Sequence, residues 1–382
     1  MSEKPLVHGY VAQGFESVRD LFAENLASGQ ELGATFCVVQ DGQTIIDLYG
    51  GVRDGDHAEA LGPDDLFNVW STTKGMAATC IGIAVERGLL AYEAKVADYW
   101  PEFGVHGKQD VTVETLLSHA SGVQGPDTPA TTEELLDIPV FSARLADQTP
   151  MFPPGSASAY NAGIFGHWVD ALLRATDGRN LKDFFAAEVA APLQADVWIG
   201  LPQDQHHRRA PIVAPWAAMV EQTPPSPDPV VRAALGSPRM SPLLANRADW
   251  IAAGNGAAGG SANARGIARV YGALARGGEI DGVRIMRPDS VARMVAQRRE
   301  GKDKVLGMWV RWAAGFLLSN RGLYGPNDNS FGHSGWGGSF GFADPDAKLG
   351  FGYAMNLMAP NLAGDPRGGR LAAETYRCLG LA

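Results

Sequence analysis

Phe67-Asn68-Val69-Trp70-Ser71-Thr72-Thr73-Lys74-Gly75-Met76-Ala77-Ala78-Thr79-Cys80 sets a hydroxyl and an amine three positions apart. Apolar and small residues run on to Leu89-Leu90 without a proline, so Ser71 reads as the opening of a buried helix. Residues three apart share a helix face, which makes Ser71 and Lys74 expected neighbours. The first turn of a helix offers free N–H groups and partial positive charge, and both suit a developing oxyanion. Lys74 follows an aromatic-rich entry and precedes Gly75-Met76-Ala77-Ala78. An ammonium there is expected to be partly desolvated, with its neutral form more accessible. The plainer alternative is a capping serine followed by an exposed lysine. Cys80, in the same helix, reads as a small core residue.

Two later segments offer matching chemistry. A serine nucleophile needs a base, and Pro154-Gly155-Ser156-Ala157-Ser158-Ala159-Tyr160-Asn161-Ala162-Gly163 presents a tyrosine ahead of a helix-like run. Beside an ammonium, the phenolate form of Tyr160 is expected to be favoured, fitting it to take the serine proton. Otherwise Tyr160 is a packed ring beneath a loop. The third segment is Phe331-Gly332-His333-Ser334-Gly335-Trp336-Gly337-Gly338-Ser339-Phe340-Gly341. Glycines this dense on a strand edge let a ligand or another backbone approach closely. An N–H here would be a second oxyanion donor beside that of Ser71; the alternative is a bulge that holds nothing.

The bulk numbers exclude several classes. A chain of 382 residues buries one large core or two smaller ones. The formal net charge is -10 with no long basic run, so nucleic acid is not an expected partner. Cys37, Cys80 and Cys378 are sparse and odd in number, which argues against a disulfide framework and for a reducing, cytoplasmic compartment. No cysteine pair has zinc spacing and no His-Glu-x-x-His occurs, so neither a metal nor another cofactor is expected. Met1-Ser2-Glu3-Lys4-Pro5 lacks a hydrophobic signal core, and no apolar run reaches membrane-spanning length.

Periodicity predicts a helix over 10–28, strands over 34–40 and 43–49 joined by Asp41-Gly42, and the Ser71 helix. A helical, loop-rich middle follows over roughly 95–250, broken by Pro154, Pro192 and the Pro211–Pro242 stretch. Then come a helix over 262–276, a short hairpin within 279–286, strands over 309–317, 339–343 and 350–356, and a last helix near 366–379. Strands at both ends with helices between them imply an α+β fold. One antiparallel sheet, split in sequence, is flanked by helices and carries an inserted helical region. The expected division is 1–95 with 255–382 for the sheet-bearing part and 96–254 for the insertion, with the active site in the cleft between them.

Taken in order, the three segments resemble the serine β-lactamase and penicillin-binding-protein superfamily, where the nucleophile lies in Ser-x-x-Lys. Within it they are most similar to the bacterial family VIII carboxylesterases. Thr115-Leu116-Leu117-Ser118-His119-Ala120-Ser121-Gly122 is similar to that group's Leu-Leu-(Ser/Thr)-His-x-x-Gly segment. Val96–Phe103 and Trp198-Ile199-Gly200-Leu201-Pro202 look like further landmarks. The resemblance implies a β-lactamase-like fold with Ser71 as nucleophile, Lys74 as its amine partner and Tyr160 opening the second motif. It places His333-Ser334-Gly335 where Lys-Thr-Gly stands, as the substrate-binding segment, with the Trp336 N–H as oxyanion donor beside that of Ser71. A second register, aligning Trp336-Gly337-Gly338, would move the donor to Ser339. Two departures stand out. Asn161 follows Tyr160 directly, out of register with Tyr-x-Asn, and His333 replaces a permanent cation. Both favour uncharged esters over β-lactams.

The implied activity is a serine carboxylesterase acting on small, short-chain esters through an acyl-Ser71 intermediate. Other readings are a β-lactamase or D-alanyl-D-alanine peptidase, an acyltransferase, and a non-turnover penicillin-sensing domain. Two motifs compete and fall. Gly337-Gly338-Ser339-Phe340-Gly341 fits Gly-x-Ser-x-Gly, yet a strand and no later histidine follow it. Gly254-Asn255-Gly256-Ala257-Ala258-Gly259 fits Gly-x-Gly-x-x-Gly without a convincing strand before it. His206-His207 reads as a solvated pair, His119 as structural, and Trp309 with Trp312 as core or pocket wall.

Overall fold

A computed structural model describes residues 7–55, 59–320 and 322–381. Met1–Pro5, read above for a signal core, lies outside the described residues. One nine-stranded antiparallel sheet holds the two chain ends together. Its strands are β1 (Val7–Val11), β2 (Gly33–Gln40), β3 (Gln43–Gly51), β4 (Arg299–Lys302), β5 (Trp309–Trp312), β6 (Leu317–Leu318), β7 (Phe331–Ser334), β8 (Phe340–Asp344) and β9 (Leu349–Met355), in the spatial order 1-3-2-9-8-7-6-5-4. The seam between the ends is the β2–β9 pair, in register from Leu349 opposite Gln40 to Met355 opposite Ala34. Asp41-Gly42 closes the β2–β3 hairpin as its Asp-Gly sequence requires, both residues taking positive φ.

Helices cover both faces of the sheet. Side chains alternate across a strand, so Phe340 and Tyr353 face one way while Gly341 and Gly352 face the other. The first face receives α1 (Glu16–Ala27) and the C-terminal helix, in which a Cβ on Gly368 would lie 2.5 Å from Phe340. The second face receives the helix Ala264–Ala275 at unusually close range. A Cβ on Gly350 would stand 2.1 Å from the Gly272 nitrogen, and one on Gly352 2.2 Å from the Ala264 carbonyl. The glycines of β8 and β9 therefore set the helix-to-sheet distance. Between the ends lie short helices and loops, with one strand at Val197–Ile199 that joins Phe67–Asn68 and Gly260–Ala262 in a separate three-stranded sheet.

Several elements differ from the sequence expectation. The first helix begins at Glu16; Tyr10 and Val11 belong to β1, which pairs with β3. Their spacing continues the helical pattern of Phe15 and Val18, which hides the strand. The expected strand over 309–317 is two strands, β5 and β6, separated by a turn at Ala313–Phe316. Strands β4 and β7 are additional. Trp309 and Trp312 sit on opposite faces: Trp309 is exposed and Trp312 fully buried.

A buried charge cluster ties three distant segments. Arg367, at the start of the C-terminal helix, meets Asp365 through Nε at 2.9 Å and Nη2 at 2.7 Å, and Glu31 through Nη1 at 3.1 Å. The same guanidinium donates to the carbonyls of Leu357 and Gly337, each at 2.8 Å. One cation thus faces two buried carboxylates, and Asp365 takes the bidentate position. Glu31 has one oxygen without a partner among the described residues, and burial pushes its carboxyl up to about 8. A carboxyl that gains affinity for its proton on folding stabilises the fold below its unfolded value and loses that contribution as pH rises through the folded value. The parent should therefore lose thermal stability between pH 4.5 and about 8. Glu31→Gln, which cannot ionise, should flatten that slope in calorimetric melts. A slope unchanged by the substitution would show that Glu31 does not titrate there.

Candidate active site

Ser71 lies in a 3-10 turn, Trp70–Thr72, that leads into α2 (Thr73–Glu86). Residues Thr73–Ala84 of α2 are all buried, so the helix has no polar face and Lys74 has no exposed surface. The turn is held tightly from within. Thr73 Oγ1 donates to the Trp70 carbonyl at 2.5 Å and accepts from the Gly260 N–H at 2.9 Å. Trp70 itself takes φ +44, a strained conformation for a bulky residue. Its ring is wedged between Trp250 and Trp336, with centroids 5.6 and 5.0 Å away, and this packing opposes relaxation.

Lys74 Nζ makes three contacts: Ser71 Oγ at 3.0 Å, the Ala162 carbonyl at 2.8 Å and the Ala257 carbonyl at 2.8 Å. No carboxylate stands within ion-pair distance among the described residues. Burial alone pulls its pKa well below the usual lysine value. The Tyr160 phenol interacts electrostatically with the Ser71 hydroxyl, and Lys74 Nζ sits 4.6 Å from the centre of the Tyr160 ring. The expected phenolate preference is reversed. Burial raises the phenol above its ordinary value, and the neighbouring Ser71 hydroxyl offsets this only in part. Both partners of Ser71 are therefore driven toward their neutral forms.

The Tyr160 ring is clamped. Trp312 stacks on it at 5.9 Å with planes 3° apart, His333 stacks at 5.9 Å, and His119 meets it edge-on at 5.1 Å. The Tyr160 N–H donates to Asp303 Oδ1 at 3.1 Å. His333 Nδ1 lies 3.0 Å from the Ser334 carbonyl, an acceptor, so Nδ1 carries the proton and Nε2 is left as a bare acceptor without a partner among the described residues. Burial, helped by the Lys74 charge, takes His333 down to about 3, and the ring is neutral.

The third motif meets the serine turn through Ser339. Ser339 Oγ donates to the Val69 carbonyl at 2.8 Å and lies 3.2 Å from Thr72 Oγ1. Gly335 passes so close that a Cβ would stand 2.4 Å from the Val69 carbonyl and 2.1 Å from Ser339 Oγ. The next residue, Trp336, has no backbone acceptor for its N–H among the described residues. The first-turn N–H of Ser71 likewise has no acceptor within its own turn. Ser334 faces away: its hydroxyl lies 3.1 Å from that of Tyr324. A cavity of about 450 Å³ opens beside Ser71, lined by Ser71, Trp70, Tyr160 and Trp336 together with residues of the 220–240 segment. Ser334 and Gly335 instead line a second cavity of similar volume, bounded by Tyr324 and Tyr376, in which Ser71 takes no part.

The structure thus sets Ser71, Tyr160 and Trp336 in one cavity wall, with Lys74 buried behind Ser71 and His333 behind Tyr160. Asn161 turns inward to Val123 and Gln124, away from the serine. Neither competing motif has its own site. Ser339 is buried on the approach to β8, and the 254–259 glycines form a loop whose Ala257 carbonyl receives Lys74. That carbonyl, its counterpart at Ala162, and Asp303 were not legible as site residues. The first two are backbone groups of alanines, and Asp303 reads as part of an exposed Lys-Asp-Lys turn.

A family model for Beta-lactamase matches residues 18–374. The chain belongs to the beta-lactamase family. It is 35% identical over 373 residues to "Esterase/beta-lactamase LipL" of Mycobacterium tuberculosis, covering 95% of this chain and 86% of that protein. A crystal structure of a family VIII carboxylesterase superposes with a TM-score of 0.93 at 44% identity, over 98% of this chain and all of that one. A penicillin-binding protein homologue from Caulobacter crescentus gives 0.91 at 38% identity, over 98% of this chain and 100% of its own. The β-lactamase-like fold expected from the three segments is what the structure contains.

Gly335 supplies a direct test of the motif's packing. Gly335→Ala should destabilise the fold by about 1–3 kcal/mol in denaturant titration, because the added methyl meets backbone at Val69. An unchanged midpoint would mean that the Gly335–Val69 contact is looser than described.

Proposed function

We propose that the protein is a serine carboxylesterase that hydrolyses small, short-chain esters through an acyl-Ser71 intermediate. The observation that carries this reading is the buried Lys74 amine, 3.0 Å from Ser71 Oγ, beside a largely apolar cavity. In its neutral form Lys74 gives its two N–H groups to Ala162 and Ala257 and turns its lone pair to the Ser71 hydroxyl. Lys74 and Tyr160 act as one proton store. The pair takes the Ser71 proton as Oγ attacks the ester carbonyl, and Tyr160 returns it to the leaving alkoxide. The N–H groups of Ser71 and Trp336 hold the oxyanion, each worth about 3 kcal/mol. Water then attacks the acyl-enzyme, its proton passing through the same pair back to Ser71. His333 positions Tyr160 by stacking.

In this reading the sheet-bearing part, 1–95 with 255–382, and the helical part, 96–254, form the two sides of the cleft. The cysteines Cys37, Cys80 and Cys378 are unpaired, which supports a cytoplasmic location. No helix among the described residues is long and apolar enough to cross a membrane.

Ser71→Ala should lower kcat for p-nitrophenyl butyrate at least about a thousandfold, and Tyr160→Phe about a hundredfold or more, with unchanged melting curves. Full activity in either variant would refute its role. Activity should fall as pH falls through the lowered Lys74 value, because protonation removes the base. That limb of kcat/KM should lie well below pH 10.5, lysine's ordinary value, and no limb should arise from His333 above about pH 3.

A β-lactamase or D-alanyl-D-alanine peptidase is the second reading, favoured by family membership and opposed by neutral His333. Turnover of a chromogenic cephalosporin at a rate comparable to the butyrate ester would select it. One stoichiometric adduct that persists in intact-mass spectra would select a sensor. Ester formation with an added alcohol would select an acyltransferase.

A further inference from the structure

The cavity beside Ser71 carries charge of one sign. Among the described residues its only charged lining residues are Arg232 and Arg239, both from the 220–240 segment, and no Asp or Glu lines it. Their neighbours there are mostly apolar, among them Val231, Leu235 and Met240, with the hydroxyl residues Thr223 and Ser226. Neither guanidinium has a carboxylate within ion-pair distance among the described residues. Arg239 donates to the carbonyls of Glu221 and Thr223, and Arg232 to those of Ser226 and Pro227. These bonds use only part of the five N–H groups each guanidinium offers. Arg232 also borders a neighbouring groove that contains Asp127; Arg239 does not. Two unneutralised arginines in a chain of net charge -10 leave the pocket cationic against the charge of the whole molecule.

We propose that Arg239, assisted by Arg232, forms an anion subsite, and that the preferred substrates are esters bearing a carboxylate separated from the scissile bond by a short apolar stem. The inference rests on the esterase reading and names its substrate class. The apolar wall takes the stem, and the planar guanidinium takes the carboxylate by paired N–H donors. The reaction is unchanged: the ester C–O bond breaks, the acyl group passes to Ser71 and then to water, and the distal carboxylate keeps its charge throughout.

The test compares charged and neutral esters of matched size. On the acyl side these are the p-nitrophenyl monoester of glutaric acid and its methyl-capped counterpart. On the alcohol side they are p-carboxyphenyl butyrate and its methyl ester. For at least one pair, kcat/KM should favour the charged member about tenfold at low salt. The ratio should shrink as ionic strength rises and fall about tenfold in Arg239→Gln. Arg239→Lys, which keeps the charge, should retain part of the ratio and guards against a merely disordered segment. No preference in either pair, or a preference that survives both Arg239→Gln and Arg232→Gln, overturns the subsite. Loss of turnover on the neutral esters is a different failure and would sink the esterase reading. The subsite would then be read from quenching of Trp70 and Trp336 fluorescence by glutarate, in parent against Arg239→Gln. Equal quenching in the two would overturn it.

Discussion

A lysine with no exposed surface, held 3.0 Å from a serine hydroxyl, is the constraint on which this structure depends. An unpaired ammonium in such a place carries a large desolvation cost. Here the cost is limited by a frame that suits either protonation state. Two carbonyls accept N–H groups whatever the charge, and the third contact, Ser71 Oγ, donates to a neutral amine or accepts from a charged one. Only the serine hydrogen has to rotate between the two states. Much of the surrounding structure follows from keeping that frame dry and fixed. The helix α2 is buried along most of its length, Gly75 leaves room for the Tyr271 hydroxyl, and the 254–259 loop places the Ala257 carbonyl.

Sequence reading reached the parts of the fold where local and tertiary preferences agree. The Asp41-Gly42 hairpin and the helix Ala264–Ala275 have both the right periodicity and the right ends, and α2 shows as a proline-free apolar run, though it starts at Thr73, one 3-10 turn after the expected opening. It failed where tertiary contacts decide. Phe331-Gly332-His333-Ser334 has two residues of poor strand preference, and is a strand because β6 and β8 flank it. Arg299-Glu300-Gly301-Lys302 is an edge strand whose pattern is that of a polar loop. At the site, the Ser71–Lys74 neighbourhood was visible from spacing, and Tyr160 from its resemblance to the second motif. The backbone carbonyls that tune them were not, because an alanine carbonyl leaves no compositional trace.

The third motif shows how strand geometry narrows a motif. His333 stacks on Tyr160 while Ser334, next along β7, turns to Tyr324 on the other face. Only one of these two side chains faces the surroundings of Ser71. What reaches Ser71 from this strand is mostly backbone, brought in by the absence of a side chain at Gly335. The turn that follows is pinned from behind, where Arg367 holds the Gly337 carbonyl at 2.8 Å. The position of the Trp336 N–H is thus set by a buried ion cluster at the far end of the chain.

The electrostatics of the site separate chemistry from selection. Burial drives Lys74, Tyr160 and His333 each toward a neutral form, so the groups around Ser71 offer no permanent charge to a bound anion. An ordinary ester develops negative charge only at its carbonyl oxygen in the transition state, and oriented N–H dipoles meet that charge without a cation. The permanent positive charges of the cavity lie instead on Arg232 and Arg239, in a segment separate from Ser71, Lys74 and Tyr160. Charge on that wall can change binding through long-range attraction while leaving the proton frame around Lys74 untouched. A fold arranged this way is free to alter which esters it accepts without altering how it opens them.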